Sequence, residues 1–333
     1  MINIAFSSDN NFVPQLMVSI KSLLTNNKCL DLNLYILDND ISELNKEKLI
    51  LLVEDYNTNL TFLSVAKNNF KIESYVEDDI KTFSISAYCR LFLSSLLADV
   101  DKILYLDCDS LIVDSLLELW NIDITEYMCA GVLDIMPNVY KESIGLKEED
   151  IYINSGVLLI NLKLWRERNI EKDFIKSLEK HKNERIHHDQ GIINEVLKNQ
   201  ILPISPKYNW LSYFHGKDYH LIIKWFVNPS YYYDDKTMDE SSANPVFIHF
   251  CNGFMGRPWN NHNHYYFDLY KEYVHLAGIN EEEIYVNKKN LPLMSKIFGI
   301  LSENSFCLEL LNMIPDSLAR NITNTILKNR LKK

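Results

Sequence analysis

Glycine and proline are scarce, nine of each in 333 residues, which excludes collagen-like and linker-like architectures. Cysteine is also sparse. Cys29, Cys89, Cys108, Cys129, Cys251 and Cys307 are scattered with no C-x-x-C pair, so neither a zinc ribbon nor a disulfide frame is indicated. Free thiols suit a reducing compartment. No apolar run reaches the ~18 residues that a membrane span needs. The opening MINIAFSSDN lacks the basic start and long apolar core of an export signal, so the expected location is cytoplasmic or on a membrane surface. Positive charge is short as well, with 34 Lys/Arg against 45 Asp/Glu and a formal charge of −11. Residues 288–333 carry eight Lys/Arg and three Asp/Glu, net +5, which leaves −16 on residues 1–287. Such an acidic body repels nucleic acid, so any phosphate-bearing ligand needs a local device such as a metal ion or a few placed cations.

Apolar residues are plentiful. At 47% hydrophobic, the chain can bury a large core and is not disordered. Its length fits two domains, or one α/β domain with an appendage. Short apolar runs alternate with helical patterns. Strands are expected at Asn3–Ser8, Leu32–Leu37, Leu60–Val65, Cys129–Leu133, Val157–Leu162 and Val246–Phe250, and the run Lys102–Val113 contains the strongest one. Helices are expected to open at Pro14 and to span Ser42–Tyr56, Ser84–Leu97, Lys163–His181 and Asp189–Leu197. This alternation predicts an α/β fold with a largely parallel sheet buried on both faces. Residues 203–245, rich in Pro, Tyr, Asn and Asp, read as a long loop region. Three apolar helical patterns follow, Leu293–Ser302, Phe306–Met313 and a basic one beyond Pro315.

The densest chemistry lies in Tyr105-Leu106-Asp107-Cys108-Asp109. In extended geometry two carboxylates at i and i+2 project to one side while Cys108 faces the other. They follow an apolar strand, and open α/β sheets bind ligands at the carboxyl ends of their strands. Converging carboxylates repel unless a cation lies between them, and a hard divalent ion with open positions for phosphate oxygens meets that need. A strand end that merely opens a turn is the competing reading.

Six segments in order resemble glycosyltransferase family 8: FSSDNNF (Asp9, Asn11), YCRL with LYLDCDSLIV (Arg90, Asp107, Asp109), GVLDI (Asp134), YINSGVLLINLKLW (Asn154, Ser155, Gly156), HHDQGIINEVL (Asp189, Gln190) and IHFCNGFMGRPW (His249, Gly253, Arg257, Pro258, Trp259). The likeness spans about residues 1–275. It implies a GT-A, Rossmann-like, mostly parallel sheet flanked by helices. The catalytic domain would cover 1–280, with a donor-binding half to about 115, a donor and acceptor half over 116–280, and a small helical extension at 288–333. The last segment departs from the family pattern, with two additional residues before Arg257-Pro258-Trp259 and Arg in place of Lys. Both changes bear on whether Arg257 meets the diphosphate.

The resemblance further implies retaining transfer of glucose or galactose from UDP, forming an α-linkage. Asp107, Asp109 and His249 would bind the metal, Mn²⁺ by preference because of the imidazole, with Mg²⁺ as the alternative. Asp9 and Asn11 would read uracil and ribose, Asp134 and Asn154 sugar hydroxyls, and Gly253 and Arg257 the diphosphate. Arg90 would touch the donor, and Asp189 and Gln190 would stand near the reacting carbon, with Gln190 stabilising its positive charge. The implied acceptor is a saccharide of a bacterial surface glycan such as lipopolysaccharide core, lipid-linked in one version. Three other readings stay open: a nucleotide-sugar-binding module without transfer, a transferase acting on a glycosylated protein, and a metal-dependent nucleotidyltransferase. The aromatic run of Tyr208, Trp210, Tyr213, Phe214, Trp225, Tyr231, Tyr232 and Tyr233 reads either as an acceptor wall or as a hydrophobic cluster. His187 and His188 read as structural, and His262 and His264 as surface residues. The basic 288–333 segment reads either as peripheral contact with an anionic membrane or as a helix packed on the body.

Overall fold

The computed structural model describes residues 1–64, 85–182, 188–215, 219–251, 256–285, 310–311 and 313–331. Ten strands in these residues form two sheets. The larger contains β1 (Ile2–Asp9), β2 (Leu32–Asn39), β3 (Thr58–Ser64), β4 (Lys102–Leu106), β6 (Cys129–Leu133), β7 (Ile153–Asn161) and β8 (Ile201–Pro203) in the order β3-β2-β1-β4-β7-β6-β8. The smaller orders β5 (Ser110–Ile112), β10 (Phe247–His249) and β9 (Trp210–Leu211) as β5-β10-β9. Within the large sheet, β1 pairs in parallel with β2 and β4, and β2 with β3. β7 alone runs antiparallel to both of its neighbours, β4 and β6.

Period-two burial explains why these segments are strands. Ile4, Phe6, Leu104, Leu106, Val157 and Leu159 enter one core, while Ala5, Ile103, Tyr105, Leu158 and Ile160 enter the core on the opposite face. Burying each Leu or Ile contributes about 2 kcal/mol. Helix α1 (Val13–Asn26) opens with Pro14 in its first turn, and Ser42 caps α2 (Glu43–Val53) by accepting from the Asn45 N–H. Both starts follow the sequence reading.

The run Lys102–Val113 contains the expected strand as β4 and a second one, β5, in the other sheet, because the chain turns a corner at Asp107–Asp109. Three expectations are corrected. The expected helix Ser84–Leu97 is, from Ile85, a 3-10 segment to Phe92 and then a single α-turn, Leu93–Leu96. The helix over Lys163–His181 divides in two at Asn169, whose φ of 53° is left-handed. Residues 203–245 are not an open loop. They hold β9 and helices Tyr219–Phe226 and Asp235–Ala243, because Trp210, Phe214, Leu221 and Met238 are drawn into the core. Leu293–Ser302 and most of Phe306–Met313 lie outside the described residues. The helix beyond Pro315 spans Asp316–Leu331 and lies against Tyr219–Phe226 and Asn138–Ser143.

One antiparallel strand decides where the site sits. β1, β4 and β6 end at the same sheet edge, and β7, running the other way, begins there. Its first residues, Ile153 to Gly156, are thus delivered beside the carboxyl ends of its neighbours. The Asp107 N–H donates to the Gly156 carbonyl at 2.8 Å, and the Asp134 N–H to the Tyr152 carbonyl at 2.9 Å.

Candidate active site

At the β4–β5 corner Asp107 and Asp109 face the same way. Cys108 faces the other way, its thiol donating to the Ser7 carbonyl at 3.1 Å. The corner is pinned to α1: Ser110 Oγ donates to the Asp107 carbonyl at 2.7 Å and lies 2.8 Å from Ser19 Oγ. β10 pairs antiparallel with β5, His249 opposite Ser110, which swings the imidazole over both carboxylates. Its Nε2 lies 3.2 Å from Asp109 Oδ1 and 3.8 Å from Asp107 Oδ2. The three residues offer ligand atoms all within 4.8 Å of one another. Two carboxylates and one imidazole suit a divalent cation of the Mn²⁺ or Mg²⁺ kind. Gly156 makes room for the ring, since a Cβ there would stand 2.2 Å from His249 Cε1 and 2.6 Å from Nδ1.

Two guanidiniums balance this charge. Arg90, only 4% exposed, donates to Asp107 Oδ1 at 2.9 Å, to the Ala87 and Ser155 carbonyls at 2.9 and 2.5 Å, and pairs with Asp189 at 3.2 Å. It also stacks 4.1 Å over the Tyr105 ring. Arg257 donates to Asp109 Oδ2 at 2.6 Å and to the Phe250 carbonyl at 3.1 Å. Burial raises the Asp107 pKa despite Arg90. Burial would raise Asp109 too, but Arg257 and His249 hold it below the ordinary carboxylate range. Burial works against a charged His249, yet the Cys251 sulfur and the Asp109 carboxylate together lift its pKa well above the usual imidazole value.

The second end of the site is neutral around its acid. Asp134, at the end of β6, accepts at Oδ2 from Gln190 Nε2 at 2.9 Å and from Asn154 Nδ2 at 3.2 Å. Gln190 Oε1 accepts from the Ser155 N–H at 3.1 Å, and Asn154 Oδ1 from the Gly156 N–H at 2.9 Å. Asp189 and Gln190 stand in the first turn of the helix His188–Val196, both buried. Asp189 pairs with Arg90, so the two adjacent residues face the two ends of the site.

The structure therefore gathers Arg90, Asp107, Asp109, Asp134, Asn154, Asp189, Gln190, His249 and Arg257. Asp9 ends β1 and accepts from the Asn11 and Phe12 N–H groups at 2.9 and 3.2 Å, opening a turn in which Asn11 is exposed. Gly253 and His187 lie outside the described residues. His264 is not a surface residue: it is buried against Phe250, and its Nδ1 accepts the Tyr266 N–H. Among the aromatics, Tyr208, Trp210 and Phe214 are core residues, and Tyr233 bonds the β6 end through the Leu133 N–H, so the cluster reading holds for these four. Sequence reasoning missed Asn209. Only 1% exposed, it joins His249 to Asn154, and the signal was there: an Asn inside an aromatic run destined for the core.

A mostly parallel α/β sheet with a paired-carboxylate corner and a polar pocket at one edge defines the class of GT-A glycosyltransferases. The model for glycosyl transferase family 8 matches residues 3–263, and the chain belongs to that family. A Haemophilus influenzae protein named as a glycosyltransferase is 38% identical over 213 residues, 63% of each chain. The lipopolysaccharide 1,2-glucosyltransferase of Escherichia coli is 27% identical over 212 residues, 62% of each chain. Both matches span a little under two thirds of the relatives' own length. Among solved structures, the galactosyltransferase LgtC, captured with donor and acceptor sugar analogs, aligns with TM-score 0.69 and 28% identity, covering 83% of this chain and 95% of that one.

Proposed function

We propose that this chain is a retaining hexosyltransferase that moves glucose or galactose from UDP to a saccharide acceptor with Mn²⁺ assistance. The observation that carries the reading is the convergence of Asp107, Asp109 and His249 at the sheet edge that also holds Asp134, Asn154 and Gln190. A bound divalent ion would neutralise the diphosphate as the glycosidic bond breaks. Asp107, Asp109 and His249 would hold that ion, and Arg257, on the outer oxygen of Asp109, stands within the same corner as a cation for the diphosphate. Asp9 and Asn11 would read the nucleoside from the end of β1. Asp134 and Asn154 would take sugar hydroxyls, rejecting analogues that leave those groups unpaired. Arg90 has its donors committed beneath the carboxylates, so its part is to hold Asp107 and Asp189 in place. Gln190, a neutral amide beside Asp134, favours same-face attack with the amide oxygen facing the positive anomeric carbon.

The name of the Escherichia coli relative favours an acceptor in a bacterial surface glycan such as lipopolysaccharide core. Peripheral contact with an anionic membrane through 288–333 fits the outward stripe Leu318, Ile322 and Ile326, each exposed on the helix whose inner side buries Ala319. No helix among the described residues is long and apolar enough to cross a membrane. The test is UDP release from each UDP-sugar with Mn²⁺. One hexose is expected to be hydrolysed slowly without acceptor, and Asp107→Asn is expected to lose at least about a hundredfold. Undiminished turnover in that variant would end the proposal. Replacing Leu318, Ile322 and Ile326 together by Asn should release the protein from anionic vesicles.

A further inference from the structure

We infer that Asn209 is a positioning residue that presents His249 to the metal through Nε2 and ties that imidazole to the sugar pocket. The inference rests on the metal-site reading above and adds a residue to it. The polarity of the hydrogen bonds can be followed atom by atom. The Gly156 N–H can only donate, and it points at Asn154 Oδ1 at 2.9 Å. That oxygen is therefore an acceptor, and the other amide atom of Asn154, Nδ2, donates to Asp134 Oδ2 at 3.2 Å. Asn209, 2.8 Å from Asn154 Oδ1, must offer its Nδ2 there. Its Oδ1 is left facing His249 Nδ1 at 3.0 Å, so that nitrogen must carry a proton. The nitrogen that can give up its proton and offer a lone pair to a cation is then Nε2, the one 3.2 Å from Asp109. A backbone N–H on β7 thus dictates which face of an imidazole on β10 is a ligand.

Asn209 can do this because it is held. It ends the 3-10 turn Pro206–Asn209 immediately before β9, and β9 pairs with β10 so that Leu211 lies opposite His249. Its amide is buried, and a turned-over amide would set oxygen against oxygen at Asn154. Groups that orient a metal-bound imidazole typically change metal affinity about 10- to 100-fold when removed. The chain of bonds His249–Asn209–Asn154–Asp134–Gln190 also runs without a break from the metal ligands to the sugar end.

The test uses the full chain, with Mn²⁺ binding followed by electron paramagnetic resonance and UDP and UDP-hexose binding by calorimetry. Asn209→Ala is expected to bind Mn²⁺ about 10- to 100-fold more weakly. Asn209→Asp separates the two ends. Its carboxylate still accepts from Nδ1–H, so Mn²⁺ affinity stays near wild type. Its second oxygen opposes Asn154 Oδ1, so UDP-hexose loses its advantage over UDP. A merely structural asparagine would not split the two readouts. Nitrogen-15 spectra of the metal-free wild type should show a slowly exchanging proton on His249 Nδ1. Wild-type Mn²⁺ affinity in Asn209→Ala, or a His249 Nδ1 without a protected proton, overturns the inference. Failure of the wild type to bind Mn²⁺ at all, with the protected proton present, overturns the metal reading and leaves the hydrogen-bond chain standing.

Discussion

The two ends of the site hold their acids by opposite means. At the metal corner each carboxylate leans on a guanidinium, Asp107 on Arg90 and Asp109 on Arg257. At the sugar end Asp134 leans on two neutral amides, Asn154 and Gln190. A guanidinium is a rival to an incoming cation, whereas an amide shares its acceptor with a sugar hydroxyl at little electrostatic cost. The corner is therefore built for exchange of charge and the sugar end for exchange of hydrogen bonds. Substitutions at one end should leave the other's ligand largely untouched, with Asn209 as the joint between them.

The largest expected break is Gly156→Ala. Its Cβ would lie inside contact distance of the His249 ring, so the imidazole must leave its seat. Mn²⁺ affinity should fall more than about a hundredfold, since the ring and its orienting bond are lost together. Calorimetry that finds Mn²⁺ binding intact would show that His249 is not needed at the corner.

Acid should weaken the frame behind the metal corner. His264 packs edge-on to Phe250, next to His249, and burial pulls its pKa from 6.5 to about 4. The unfolded chain thus binds a proton that the folded chain refuses between these values. Stability from this residue is complete above pH 6.5 and drains as pH falls toward 4, by up to about 3 kcal/mol. Urea unfolding of the wild type and His264→Gln across this window should show a shallower acid loss in the variant. Equal slopes would place the acid sensitivity elsewhere.

At the sugar end, Asp134→Asn should cut the preference for UDP-hexose over UDP about tenfold, roughly the worth of one or two hydrogen bonds. Mn²⁺ affinity should hold. A parallel fall in both would mean that the two ends are one electrostatic unit.

How much of this was legible differs by the kind of signal. Asp107 and Asp109 announce themselves because charge at i and i+2 after an apolar strand is costly without a purpose. The corner between them does not, because β4 and β5 are both buried and KILYLDCDSLIV stays apolar on each side of the turn. Asn154, Ser155 and Gly156 interrupt an apolar run, and the resemblance alone placed them at the site. What put them there physically is the reversed direction of β7, a pairing that no local pattern encodes. Residues 203–245 misled because Pro, Asn and Tyr suggest loops, yet their aromatics supply core volume. Asn209 was hidden by the same composition.

The finest test of the contrast is Arg257→Gln. If the guanidinium on Asp109 is a stand-in for the metal's charge, removing it should tighten Mn²⁺ binding in the absence of nucleotide, by about three- to tenfold for one screened, partly exposed cation. The same change should weaken UDP, because the diphosphate loses the nearby cation while the ion remains. The two affinities would move in opposite directions, a pattern that neither misfolding nor simple loss of a ligand produces. Arg257→Lys should restore UDP more fully than it restores competition with Mn²⁺, since an ammonium supplies charge but cannot reproduce the fork that spans Asp109 and the Phe250 carbonyl. If Mn²⁺ and UDP weaken together in Arg257→Gln, Arg257 is a prop for the corner and its contact with Asp109 is no rival to the metal.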